Sequence, residues 1–254
     1  MTPPLPPLDV HAHIEVEIAA EVLESLGAVV FAATRSIAEF RASANRRDAV
    51  TVWGLGVHPG RQKSLQAFDL NDFAEAAAHA AVISEIGLDS RARVDRRLQL
   101  EVFEEIAAVT VDQPRFVSVH SSGATSLVLD VLEEHDAPGR VLHWWRGSRA
   151  ETDRALELGC YFSVNVANEL DLSNVPLERL LTETDHPSGN RNASTPRQPG
   201  AVSDVERAIA RAHGITAEAA RSAVWVNAGR VFHETKSVAL LPAVVRRMIL
   251  AASN

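Results

Sequence analysis

The sequence predicts an α/β chain folded as one (β/α)8 barrel, the TIM-barrel class. Three observations predict it. Apolar, β-branched runs alternate with helical patterns about eight times, and such alternation implies a parallel sheet. The 254 residues match the roughly 250 that one such barrel needs. Metal-type ligands stand at the ends of five of the runs, and a barrel gathers strand ends at its C-terminal mouth. No G-x-G-x-x-G follows the first run, which weakens an open dinucleotide-binding sheet.

The expected strands are residues 8–14, 28–34, 51–57, 81–88, 115–121, 140–145, 160–166 and 179–185. Between them lie amphipathic stretches: VEIAAEVLESLG, LNDFAEAAAHA, VDRRLQLEVFEEIAAVT, ATSLVLDVLEEH and SRAETDRALELG. Several end in Gly or a Gly/Pro turn, as helices do. After the eighth run comes HPSGNRNASTPRQPGAV, polar and turn-rich, expected as a loop over the mouth. Helical patterns resume near Val202 and again near Thr216. The apolar tail is broken by Pro242, Arg246 and Arg247, and residues 235–254 are expected as an extra helix packed on the barrel. Without a linker or low-complexity segment, residues 1–254 read as one domain.

Hydrophobic residues make up 46% of the chain, enough for a sizeable core. Apolar runs stay below the roughly 18 residues of a membrane span, so no membrane association is expected. The N-terminus lacks a basic start and an apolar signal core. Cys160, the only cysteine, excludes intramolecular disulfides and fits a reducing cytoplasm. It lies in an apolar run and is expected to be buried and inert. The net charge of −8 argues against a broad basic face that grips nucleic acid. Two divalent cations would cancel half of that charge inside the site itself, so phosphodiester chemistry stays open.

The ligand-bearing runs are LDVHAHI, VISEIGLD, RFVSVH, RVLHWW and RLLTETD, which supply His11, His13, Glu85, His120, His143 and Asp185. Strand side chains alternate with a period of two, so Asp9, His11 and His13 share one side. The same parity groups Glu85 with Gly87 and Asp89, Ser118 with His120, and Glu183 with Asp185. Four imidazoles and two carboxylates suit Zn, Mn, Fe or Co. Mg fits if phosphate and water complete its shell. Six ligands imply two ions with Glu85 as the bridge. Two ions about 3.5–4 Å apart can hold a nucleophilic water and stabilise a leaving oxygen. A lone H-x-H is weak evidence, but ligands at the ends of five separate strands make a metal site the far stronger reading.

These residues resemble the TatD family of metal-dependent deoxyribonucleases, within the amidohydrolase-like barrels. The resemblance rests on DVHAHIE, GVHPG, ISEIGLD, SVHSSGA, VLHWWRGS, LELGCYFSVN, LLTETDHP and VNAGRVF, in order from about Asp9 to Phe232. It implies one metal on His11, His13, Glu85 and Asp185, and a second on Glu85, His120 and His143. It implies that Asp185 orients or deprotonates the attacking water and that His58 contacts the phosphate or donates a proton. The competing reading of His58 is a residue satisfied in the turn before Pro59. Glu183 and Asp89 are assigned to fixing the ligands' orientation. The expected cofactors are two divalent ions (Mg, Mn or Zn). The expected partner is DNA, single-stranded or at its ends, with hydrolysis from an end.

The sequence also departs from the family pattern. Ser122 stands where the family has Arg, and Trp144, Trp145 and Arg146 stand where it has Cys-Phe-Ser. Arg146 is read as a replacement cation. Trp144 or Trp145 is read as a surface for an unpaired base, with barrel packing as the competing reading for at least one. Arg191 and Arg197 are candidate phosphate contacts, with a solvated loop as the equal alternative. His186 is an extra ligand, a proton carrier or neither. His79, His135 and His213 read as surface residues. Two further functions stay open. One keeps the metals but hydrolyses an ester or amide, as in aminoacyl-tRNA deacylation. The other is a nuclease subunit of a larger defence complex.

Overall fold

The computed structural model describes residues 5–167, 172, 174–190 and 198–252. Strands β1 (Leu8–Ala12), β2 (Val29–Ala33), β3 (Thr51–Gly54), β4 (Val82–Gly87), β5 (Phe116–His120), β6 (Arg140–Leu142), β7 (Tyr161–Val164) and β8 (Leu180–Thr182) run in that order. The helices are α1 (Ala20–Ser25), α2 (Ile37–Ser43), α3 (Gln62–Gln66), α4 (Leu70–Ala77), α5 (Arg96–Asp112), α6 (Thr125–Glu134), α7 (Arg149–Glu157), α8 (Ser203–His213), α9 (Ala217–Glu234) and α10 (Ala243–Ala252). Local chemistry sets their ends. Ser36, Asp69 and Thr216 accept first-turn backbone N–H groups, and Ser148 forms a capping box with Glu151. Gly214 ends α8 in the left-handed conformation.

All strand pairs are parallel, in ladders β1-β2-β3 and β4-β5-β6-β7-β8. Two seams close them into a barrel. Between β3 and β4, Leu55 N donates to Val82 O at 2.9 Å and Ser84 N to Leu55 O at 2.8 Å. Between β8 and β1, Asp185 N donates to His11 O at 2.9 Å and His13 N to His186 O at 2.8 Å. Every expected run contains a strand, and every strand stops short of its run's C-terminal end. The leftover residues, among them His13, His143 and Asp185, lie past the strands at the mouth.

The pairing register shifts in two strands. β1 advances three residues from Asp9 to Ala12 while β2 advances two, and β4 does the same from Ile83 to Ile86 against β5. Each register shift brackets a candidate ligand, His11 or Glu85, and such irregularities re-aim side chains beside active sites. Two glycines allow the close approach. A Cβ on Gly56 would lie 1.8 Å from Thr34 O. Gly87, at φ +127°, would place one 2.1 Å from His120 O.

The barrel's floor is closed by α9. Phe232 packs against Phe31 and Phe116, with ring centroids 5.8 and 5.6 Å away. Trp225 donates its indole N–H to Pro6 O at 2.7 Å, and Asn227 donates to Leu177 O and Leu180 O at 2.8 Å each. The tail forms α10, which lies against α9 and buries Val245 and Ile249. No helix among the described residues is long and apolar enough to cross a membrane.

Candidate metal centre

The mouth brings His11, His13, Glu85, His120, His143 and Asp185 together from five strand ends, and Glu85 is their hub. Its Oε2 lies 3.1 Å from His13 Nε2, 3.6 Å from His11 Nε2 and 3.4 Å from His58 Nε2. Its Oε1 lies 2.9 Å from His143 Nε2 and also contacts His120 Nδ1. Asp185 Oδ1 stands 3.8 Å from His11 Nε2 and 3.9 Å from His13 Nε2. Asp185 is held at φ +44°, a left-handed conformation that Asp adopts more readily than most side chains. Asp9 braces the segment just before it. Its carboxylate accepts from Thr184 N at 2.9 Å, Thr184 Oγ1 at 2.6 Å and Gly200 N at 2.8 Å.

Partners around each ring set which nitrogen faces inward. His13 Nδ1 lies 2.9 Å from the Ala33 carbonyl, which can only accept, so Nδ1 carries the proton and Nε2 turns its lone pair to the site. His143 Nδ1 faces Glu183 Oε2 at 3.8 Å, which leaves Nε2 inward. His120 is reversed: Nε2 faces Asp89 Oδ2 at 3.6 Å, and Nδ1 points to Glu85 and to His143 Nε2, 3.0 Å away. His11 Nδ1 is 2.7 Å from Ser118 Oγ. His58 is opposite in kind. Its Nδ1 accepts from Gly60 N at 2.9 Å, so the neutral ring carries its proton on Nε2, toward Glu85. His58 is thus satisfied in its turn through one nitrogen and offers a donor to the site through the other.

This donor set fits metal ions. Ligand-competent atoms cluster in His11, His13 and Asp185 on one side, and in Glu85, His120 and His143 on the other. His11 Nε2 and Glu85 Oε2 are buried without a hydrogen-bond partner among the described residues. Converging lone pairs of this kind need a cation between them. Two other triads also cluster: His11, His143 and Glu183, and His13, His58 and Glu85. In the first, Glu183 is engaged elsewhere, accepting from Ser163 Oγ at 2.5 Å, Asn165 Nδ2 at 3.0 Å and Trp144 N at 2.8 Å. In the second, His58 presents a proton rather than a lone pair.

Burial and neighbouring charges set the ionisation of these groups. Burial opposes ionisation of Glu85, but His58, His120 and His143 outweigh it and hold the carboxyl well below its ordinary value. Burial opposes charge on His120 too, yet Glu85 and Asp89 raise it to about 9. Burial pushes Asp185 up to about 7; His143 opposes that rise, and Glu183 and Glu85 add to it. Burial lowers His11 to about 4, helped by His143. Burial likewise lowers His58 to about 4, against the attraction of Glu85.

A cavity of about 650 Å³ opens above the centre. Trp144, Arg146 and Arg91 line it, together with Ser122. Trp145 turns away: it is buried, packs on Phe162 at 5.0 Å and donates Nε1–H to Thr152 Oγ1 at 3.1 Å. Arg191 and Arg197 lie outside the described residues. Among the described residues, His186 joins none of the ligand clusters. His79 is exposed, His135 and His213 are half-buried, and Cys160 is buried with its thiol pushed up to about 12 by burial. Sequence reasoning missed three residues here. Arg91 had no neighbouring signal. Asp9 and Ser118 shared the ligands' parity, but their partners Thr184 and His11 lie on other strands.

Comparison with known proteins agrees with this architecture. A family model described as TatD related DNase matches residues 8–233. The chain is 31% identical over 202 residues to the uncharacterized metal-dependent hydrolase YcfH of Escherichia coli K12, covering 74% of this chain and 75% of that one. It is 33% identical over 147 residues to the 3'-5' ssDNA/RNA exonuclease TatD of Edwardsiella piscicida, covering 52% of this chain and 56% of that one. Its fold is similar to the crystal structure of YJJV, a TatD homolog from Escherichia coli K12. The TM-score is 0.76 at 20% identity, covering 89% of this chain and 97% of that one. With a family model spanning nearly the whole barrel and His/Asp/Glu clusters able to bind metal at its mouth, the chain belongs to the TatD related DNase family of metal-dependent hydrolases.

Proposed function

We propose that this protein is a deoxyribonuclease that uses two divalent ions, Mg, Mn or Zn, to hydrolyse DNA from a single-stranded end. The observation that carries the reading is Glu85. One oxygen faces His11 and His13 and the other faces His120 and His143, the arrangement of a carboxylate bridging two ions. His11, His13 and Asp185 would complete one ion's shell, and His120 and His143 the other's. Bound there, the ions would lower the pKa of a water and neutralise charge developing on phosphate.

The chain's own groups supply the rest. Asp185, at the rim of the His11–His13 side, orients the attacking water and accepts its proton. His58 donates its Nε2–H to a phosphate oxygen. Glu183 and Asp89 hold the His143 and His120 rings in their tautomers. Arg146, exposed in the mouth, contacts the strand's phosphate, a role Arg191 shares. The family's DNase description and the relative named as an exonuclease on single-stranded nucleic acid support DNA as the substrate.

End-labelled single-stranded DNA tests this with Mg, Mn or Zn, with EDTA, and beside His11→Ala. Metal-dependent shortening that the variant lacks is expected. A folded, metal-loaded protein that shortens no strand refutes the reading and leaves an ester or amide substrate. Activity that appears only with a co-purifying partner, seen by native mass measurement, points to a subunit of a larger assembly.

A further inference from the structure

Three consecutive residues after β6 go three ways. His143 points into the ligand cluster, Trp145 packs under the loop against Phe162, and Trp144 between them lines the cavity, half-buried. Trp144 sits there at φ +43°. A left-handed backbone is an outlier for so bulky a residue, and it persists only where the surroundings hold it. The holder is Glu183, whose Oε1 accepts the Trp144 N–H at 2.8 Å while its Oε2 faces His143 Nδ1 at 3.8 Å. The group that orients His143 therefore also fixes the backbone presenting the indole.

We propose that Trp144 is a base platform: an unpaired base of the nucleotide adjoining the scissile phosphate stacks on its ring. The inference rests on the nuclease reading above and specifies its substrate contact. Trp144 follows His143 directly, and adjacent Cα atoms are about 3.8 Å apart, so a base on this ring belongs to a nucleotide next to the centre. The cavity walls supply matching chemistry for the backbone. Arg91 follows β4 and Arg146 follows β6, and both are exposed where they line the cavity. A flat ring in a cavity that cations also line takes single-stranded nucleic acid with little regard to sequence, because every base has a π-face.

The test is affinity of the metal-loaded protein for a phosphorothioate-linked single strand, which resists hydrolysis, against the same strand with one abasic residue at each position in turn. Wild type is expected to lose about 5- to 150-fold at one position, the equivalent of a stacking contact of about 1–3 kcal/mol. Trp144→Ala should abolish that discrimination with metal content unchanged, Trp144→Phe should keep most of it, and Trp145→Phe should keep all of it. Equal affinity of wild type for every strand, or undiminished discrimination in Trp144→Ala, overturns the proposal. Failure of the nuclease reading looks different: discrimination persists while the natural phosphodiester strand is not shortened.

Discussion

The two ends of the barrel treat buried polar groups in opposite ways. At the floor, the buried polar groups of α9 and β7 are paired with carbonyls and a carboxylate. Trp225 and Asn227 donate to carbonyls, and the Tyr161 hydroxyl donates to Glu234 at 3.1 Å. At the mouth, imidazoles turn toward one carboxylate, and His11 Nε2 and Glu85 Oε2 have no hydrogen-bond partner among the described residues. Polar burial at the floor therefore contributes to stability. Polar burial at the mouth is costly until a cation arrives, and that cost marks it as the working end.

Four changes break or sharpen this contrast. The largest is Glu85→Ala, expected to cut hydrolysis by on the order of 10³-fold or more because Glu85 is the hub of the ligand cluster. Metal analysis and circular dichroism should show lost metal in a folded barrel. Phe232→Ala acts at the other end: removing a fully buried ring should cost about 3–5 kcal/mol in urea unfolding. Its kcat should stay within about twofold of wild type wherever the protein is folded. Activity lost in proportion to stability by both variants would erase the distinction between the ends.

Asp89→Asn is a milder change at the mouth. It weakens the acceptor facing His120 Nε2 and should reduce metal affinity about 10- to 100-fold. Competition against a chelator reads this out. The smallest effect is a pH dependence at the floor, read over the single unit from pH 9 to 10. Burial raises Cys160 from 9.0 to about 12, so the folded thiol stays protonated while the unfolded one ionises. The unfolded state then binds fewer protons, and stability falls as pH rises from about 9 toward 12, by about 1.4 kcal/mol per pH unit for this group. Burial also raises Tyr161 to about 12, with Glu234 adding to the rise, so it joins the fall above its ordinary value of 10.0. Cys160→Ala should flatten unfolding curves between pH 9 and 10; an unchanged slope would show that the thiol is not the cause.

Particular residues show how far the sequence was legible. All eight strands fall inside the runs read from hydrophobic alternation, because a barrel strand buries both faces and its apolar stretch stands out. The strands' C-terminal ends were not legible. His13, His143 and Asp185 look like strand residues by composition but lie past the named strands, although their backbone N–H groups still bond to His186 O, Val119 O and His11 O across the barrel. The register shifts that bracket His11 and Glu85 were not legible either, because they depend on the neighbouring strand. The two tryptophans could not be told apart in the sequence. Only the turn held by Glu183 sends Trp144 into the cavity and Trp145 into the packing.

By itself, the sequence determined the class of fold, the order of its strands, and the set of imidazoles and carboxylates at their ends. Those are local properties, set by hydrophobic period and residue type. Tertiary structure decided what each ligand atom does: the inward lone pair of His13, the reversed ring of His120, the proton that His58 presents, and the two directions of Glu85. The reason is physical. A ring nitrogen takes its role from the partner bonded to the other nitrogen. For His11, His13, His120 and His143 that partner, whether Ser118, Ala33, Asp89 or Glu183, lies on a different strand or loop and arrives only when the barrel closes.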